Sequence, residues 1–390
     1  MQVRPTLQQG SSGEAVKELQ RALKRAGFDP GPIDGDFEPV TAAAVRSFQA
    51  ARGLVVVGIV GPQTWRALFE TFYVHNGHLH DSSGECVVLR GVNKMAVWDQ
   101  DPTGRNWFPQ IRRTGANVVR IVWLMDTSGE PAATVSNMDK VIQNCRLNNM
   151  IPMIELHDAT MALGDPDTRG GWTKLADIER FWTSADVTSV LKKHQRYLLL
   201  NIANEPGDDS ITNDEFKDQY QKTIGAIREG GINVPLVIDA TLYGQKFDSI
   251  KNNASYLIDK DPQQNLIFSL HVWWHGHQNA ARDFKKAISD VVAKRIPFIV
   301  GEFSGVCQEC DNHNNDAPYE TILEECHKNA IGWIAWEWGP GNEVGGCAEM
   351  NMTTNGTYAT IRPDWPNKVA ITHSYSIKNT ARTPGSFSKG

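Results

Sequence analysis

The sequence predicts an α/β protein: a (β/α)8 barrel preceded by a small all-α domain of three helices. Three observations lead there. Beyond residue 72, eight short apolar runs alternate with helix-length amphipathic stretches, the rhythm of a parallel sheet closed on itself. The first 72 residues lack that rhythm and carry three helical patterns with start signals. The length agrees, since 390 residues exceed one ordinary domain and suit one large and one small unit.

The N-terminal unit is expected over residues 1–72. "GSSGEAVKELQRALKRAG" opens on serine and sets Val16, Leu19 and Leu23 on one helical face. "DGDFEPVTAAAVRSFQAARG" supplies a turn and a second helix with Val45 and Phe48 inward. "GIVGPQTWRALFETF" starts a third, with Pro62 in the favoured first turn. No catalytic cluster occurs here. The large unit is expected over 73–390. "HNGHLHDSSGECVVLRG" reads as a hairpin leading into a first strand at 87–92, with His75, His78 and His80 distributed over both hairpin faces. Further strands are expected at 118–123, 151–157, 198–203, 236–239, 266–271, 298–300 and 332–336. Helices are expected between them at 135–148, 213–229, 280–294 and 318–329.

Composition narrows the function. The net charge is −6, and no basic stripe interrupts either unit, which excludes nucleic acid and anionic membrane as partners. No apolar run approaches the roughly 18 residues of a membrane span. The first ten residues lack the apolar core of a signal peptide, so an extracellular assignment takes the sequence as a mature form. Eleven of the twelve tryptophans follow residue 90; some belong to the core, but exposed indole faces also stack on sugar rings. The six cysteines, Cys86, Cys145, Cys307, Cys310, Cys326 and Cys347, all lie in the large unit. Their even number predicts structural disulfides of unassigned pairing in a secreted protein. The single C-x-x-C has no second pair to complete a zinc site.

In a (β/α)8 barrel the chemistry sits at the C-terminal strand ends. Those ends collect Asn93, Arg120, His157, Asn204, Glu205, His271, Glu302 and Trp336. Two carboxylates among amide, imidazole, guanidinium and indole groups suit glycoside hydrolysis. One acid must be protonated to assist the leaving oxygen, and the other ionised to attack the anomeric carbon. His271, His275 and His277 lack an acidic partner fixed by spacing, so no metal is expected.

Two resemblances sharpen this reading. "GSSGEAVKELQ", "IDGDFEPVTAAAVRSFQ" and "GIVGPQTWRAL" resemble the peptidoglycan-binding-like module of many secreted hydrolases, which implies cell-wall glycan as a ligand. "NIANEP" (201–206) and "IVGEF" (299–303) resemble the acid/base and nucleophile motifs of glycoside hydrolase family five, a family of TIM barrels. "RGVN", "ANVVRIVW", "FSLHVWW" and "GWIAWEWGPGN" agree. "ELHDAT", "VIDATLYGQ" and "GWIAWEW" are most similar to its bacterial β-mannanases. The resemblance implies Glu205 as acid/base, Glu302 as nucleophile, Arg120 as its ion-pair partner and Asn204 at the sugar 2-hydroxyl. His157 and His271 would line the subsite beside the cleaved bond, with Trp336 as its floor. It further implies a cofactor-free retaining endo-β-1,4-mannanase acting on a β-1,4-linked polysaccharide, and the protein is expected to be secreted and monomeric. An endo-β-1,4-glucanase on the same barrel is the alternative, and a wall-binding protein with little catalysis a second. One position departs from the family: Trp273 stands where a tyrosine usually donates to the nucleophile, and an indole can donate but neither accept nor ionise.

Overall fold

The computed structural model of the chain describes residues 5–68, 71–82, 84–125, 128–160, 163, 174–274, 277–306, 318–342 and 347–389. Helices α1 (Glu14–Arg25), α2 (Pro39–Ala51) and α3 (Pro62–Leu68) form the N-terminal unit. They close around Val16, Leu19, Leu23, Val45, Phe48 and Trp65, the apolar positions that helical spacing singled out among them. Gln20 and Gln49 are buried there with their amides satisfied. Gln20 binds Asp34 and the Gly35 N–H, while Gln49 binds Thr64, the Ile59 carbonyl and the Gly58 N–H.

A hairpin follows, β1 (Tyr73–His75) and β2 (His78–His80), turning at Asn76-Gly77, where both residues have positive φ. Tyr73 pairs with His80 and His75 with His78, so all three histidines share one face, contrary to the expected distribution over two. That face looks at the helical unit: Tyr73 belongs to its core, and its hydroxyl donates to Glu18 (3.1 Å). The other face, with Phe72, Val74 and Leu79, plugs the barrel floor together with Val87 and Leu89.

The barrel consists of parallel strands β3 (Arg90–Met95), β4 (Val118–Trp123), β5 (Ile151–Leu156), β6 (Leu199–Asn201), β7 (Leu236–Asp239), β8 (Leu266–His271), β9 (Phe298–Glu302) and β10 (Gly332–Ala335). They pair in chain order and close through β10 and β3, the predicted (β/α)8 architecture. Helices such as Val135–Leu147, Asn213–Glu229 and Ala280–Lys294 cover the outside. The first strand was misplaced by three residues. Residues 86–87 pair back onto the hairpin, and the barrel register begins with Arg90 against Trp333 and Gly91 against Val118. An apolar alternation fits a plug as well as a strand, and only the pairing separates them.

Alternate residues of each strand face the barrel axis. At the floor they are aliphatic: Val118, Ile151, Leu199, Val237, Ile267, Ile299 and Ile334. One step higher they turn polar, with Arg120, Asn201, Asp239 and Ser269 all fully buried. Among the described residues no helix is long and apolar enough to cross a membrane. The expected cysteine framework is also corrected: Cys86, Cys145 and Cys326 are free, the last two buried. Cys347 is disulfide-bonded, while Cys307 and Cys310 lie outside the described residues.

Candidate active site

Above the aliphatic floor the strand tips supply a polar cluster that no single strand could build. Glu205 follows β6 in the left-handed region (φ 41°), and its backbone N–H donates to Asp239 Oδ2 at 3.3 Å. Glu302 ends β9. A register shift at Leu270/His271 brings His271 level with Glu302 rather than Gly301. Gly301 is a glycine because any Cβ there would collide with Ser269 and crowd the His271 ring.

Arg120 is the hub. Its Nη1 donates to Glu302 Oε1 (2.6 Å) and Asn93 Oδ1 (3.1 Å), and its Nε to Asn201 Oδ1 (2.8 Å). Its Nη2 donates to Asn204 Oδ1 (2.8 Å) and Asp239 Oδ2 (3.3 Å). Glu155 Oε1 lies 3.7 Å from Nη1. Burial alone would discharge this guanidinium, but Glu155, Glu302 and Asp239 outweigh it and raise its pKa. Asn204 is held from both ends, since its Nδ2 also donates to Thr160 Oγ1 (3.0 Å).

His271 Nδ1 lies 2.8 Å from Glu205 Oε1 and 3.5 Å from Glu302 Oε2. One ligating atom each of Glu205, His271 and Glu302 falls within a common 4.8 Å. This trio is the metal-capable group among the described residues, though its carboxylates already face His271 and Arg120. His277 is exposed and apart, and His275 lies outside the described residues. Burial raises the pKa of Glu205; the imidazole of His271 opposes this, and the charge of Glu302 adds to it. Burial also disfavours a charged His271, but Glu302 and Asp239 prevail and push it up to about 10.

One wall beside the acid pair is aromatic. Trp336 follows β10 and stacks on the His157 ring at 5.8 Å with 16° between planes. His157 Nδ1 lies 3.1 Å from Glu155 Oε1, and Trp98, half exposed, meets the same imidazole edge-on. Trp273 is buried against Trp336, Val122 and Met350. All eight predicted site residues therefore gather at one barrel end. Sequence reasoning missed Glu155, Asn201 and Asp239. The signal for Asp239 was available, because it is the last residue of β7 and strand-end position had already selected its neighbours.

This arrangement places an acid whose pKa is raised by burial beside a cation-paired carboxylate, next to tryptophan, the pair that glycoside hydrolysis requires. Comparison with known proteins gives the same answer. Residues 80–342 match the model of cellulase, glycosyl hydrolase family 5, and residues 12–68 match that of a putative peptidoglycan binding domain. A mannan endo-1,4-beta-mannosidase of Streptomyces lividans is 28% identical over 86% of this chain and 83% of its own length. One from Salipaludibacillus agaradhaerens is 27% identical over 76% and 90%. The solved β-mannanase of Thermomonospora fusca superimposes with a TM-score of 0.71 at 29% identity, covering 81% of this chain and 99% of that one. The chain therefore belongs to glycosyl hydrolase family 5 and is a glycoside hydrolase.

Proposed function

We propose that this enzyme is a retaining endo-β-1,4-mannanase, acting outside the cell as a monomer on mannan, glucomannan or galactomannan. One observation carries the mechanism: carboxylate oxygens of Glu205 and Glu302 approach within 4.8 Å. Retaining pairs stand roughly 5–5.5 Å apart, whereas inverting pairs stand roughly 6.5–9.5 Å apart to admit a water between the base carboxylate and the sugar. Glu302, paired with Arg120, attacks the anomeric carbon while Glu205 gives its proton to the leaving oxygen. The resulting glycosyl-enzyme is hydrolysed by a water that Glu205 deprotonates in turn. Burial supports the first role of Glu205, and its contact with His271 supports the second.

Mannan is supported by the relatives, including the Thermomonospora fusca enzyme solved with mannohexaose, and the Trp336–His157 wall suits a sugar ring without choosing between mannan and glucan. The division proposed is 1–72 for a wall-glycan-binding module and 73–390 for the hydrolase, without a cofactor. The test is reducing-sugar release from mannan, glucomannan, galactomannan and carboxymethylcellulose, with product anomers followed by NMR. Mannan-type substrates are expected to dominate, with the β-anomer appearing first. Preference for carboxymethylcellulose would make it an endoglucanase, and an initial α-anomer would end the retaining mechanism.

A further inference from the structure

Asp239 has no place in the scheme just given, yet it is among the most connected side chains of the mouth. It ends β7 and is fully buried. Oδ1 accepts from Asn201 Nδ2 (3.2 Å). Oδ2 accepts from the Glu205 backbone N–H (3.3 Å) and from Arg120 Nη2 (3.3 Å), and lies 3.3 Å from His271 Nε2.

The His271 ring thus has acids on both edges: Asp239 at Nε2, and Glu205 with Glu302 at Nδ1. A neutral imidazole has one donor and one acceptor nitrogen: with Nε2–H toward Asp239, its Nδ1 lone pair could accept from a protonated Glu205 but would also face the Glu302 anion at 3.5 Å. A doubly protonated ring directs N–H to the anions on both edges, close to Glu205 at Nδ1 and as an ion pair at 3.3 Å from Asp239 at Nε2, where the angle falls short of a hydrogen bond. The remaining charges are placed consistently. Arg120 lies beyond Asp239 and Glu302, and Glu155 is engaged with His157. Asn201 and Asn204 are neutral.

We propose that Asp239 is a positioning residue of the reaction, holding His271 as a doubly protonated ring that receives the charge of Glu205 when Glu205 gives up its proton. The proposal rests on the reading of Glu205 as acid/base. When Glu205 protonates the leaving oxygen, the carboxylate left behind accepts from His271 Nδ1–H at the 2.8 Å already present. The Asp239 contact to the Glu205 N–H fixes the same acid in its left-handed backbone conformation. Without Asp239 the ring sheds a proton, and Glu205 becomes a weaker acid facing a neutral imidazole. Proton donation slows, while steps that need no proton are spared.

The experiment has two parts. In the wild-type enzyme, ¹⁵N-histidine NMR is expected to find His271 doubly protonated at pH 8, where an ordinary histidine, with a pKa of about 6.5, is neutral. In Asp239→Asn the ring is expected to be neutral at pH 8 and the basic limb of kcat to move to higher pH. Its kcat on mannan should fall on the order of 100-fold, while an activated aryl mannoside loses far less. A neutral wild-type ring at pH 8 overturns the proposal even if the variant does not fold. Equal loss on both substrates with an unmoved basic limb reduces Asp239 to a structural role. The reading beneath fails separately, if Glu205→Gln loses the aryl mannoside as completely as mannan.

Discussion

At the scale of single residues, Glu302 can attack only as an anion, and the 2.6 Å bond from Arg120 Nη1 supplies the compensating charge inside a buried cluster. No other described carboxylate shares that position at the tip of β9, so Glu302→Gln is expected to abolish turnover of every substrate. Glu205→Gln should lower polysaccharide cleavage by roughly 100- to 10,000-fold, the range of a lost general acid, while glycosylation by an activated aryl mannoside persists. Burst kinetics with a dinitrophenyl leaving group distinguish the two. A turning-over Glu302→Gln enzyme free of wild-type contamination would remove the assignment. Glu205 and Glu302 were legible in the sequence because each interrupts an apolar run at its end. Glu155 and Asn201 were not, since their role is to face a guanidinium contributed by another strand, and Asp239 carried only its strand-end position as a signal. Asn201 stands four residues from Glu205 and 81 from Arg120, and only closure of the barrel makes the second relation the important one.

At the scale of elements, the hairpin of β1 and β2 shows what alternation conveys and what it leaves open. The Asn-Gly turn and the apolar Val74 and Leu79 were enough to place a hairpin. They could not say that both faces are covered, one by the barrel floor and the other by helix α1. That second burial bears on His75. Burial lowers its pKa; Glu18 opposes this, and Arg21 and Arg25 on α1 reinforce it. The folded form therefore binds a proton less readily than the unfolded chain. Stability from this site is complete above the ordinary histidine value, about 6.5, and declines as pH falls through it toward the lowered folded value. Between pH 7.5 and pH 5.5 the wild-type Tm is expected to drop further than that of His75→Gln, as read by calorimetry. Parallel curves would mean the histidine is solvated in the folded enzyme. The cysteines teach the same caution: parity suggested bridges, yet Cys145 and Cys326 pack as small buried hydrophobes.

At the scale of the whole molecule, the acid pair, Arg120 and the aromatic wall all belong to the barrel, while the helical module touches it through Phe72, Tyr73 and the hairpin. Val74 N–H donates to Asn265 Oδ1, and Asn265 Nδ2 donates to the Phe72 carbonyl, so this seam is hydrogen-bonded as well as apolar. A chain beginning at Thr71 is expected to keep its kcat on soluble mannan. Baring Tyr73 should cost about 1–3 kcal/mol of stability, visible as a lower Tm. Loss of activity in a truncated enzyme with native circular dichroism would show that the module takes part in turnover.

The plug beneath the barrel has one more consequence. All eight strands run the same way, so floor and mouth are opposite poles of a single axis, and the hairpin fixes the helical module at the floor pole. If that module grips a surface with the side away from the hairpin, the mouth points away from that surface. An enzyme held in that way would leave its own anchorage intact and work on polymer arriving from the other side, behaving less like a plough than like a sentry.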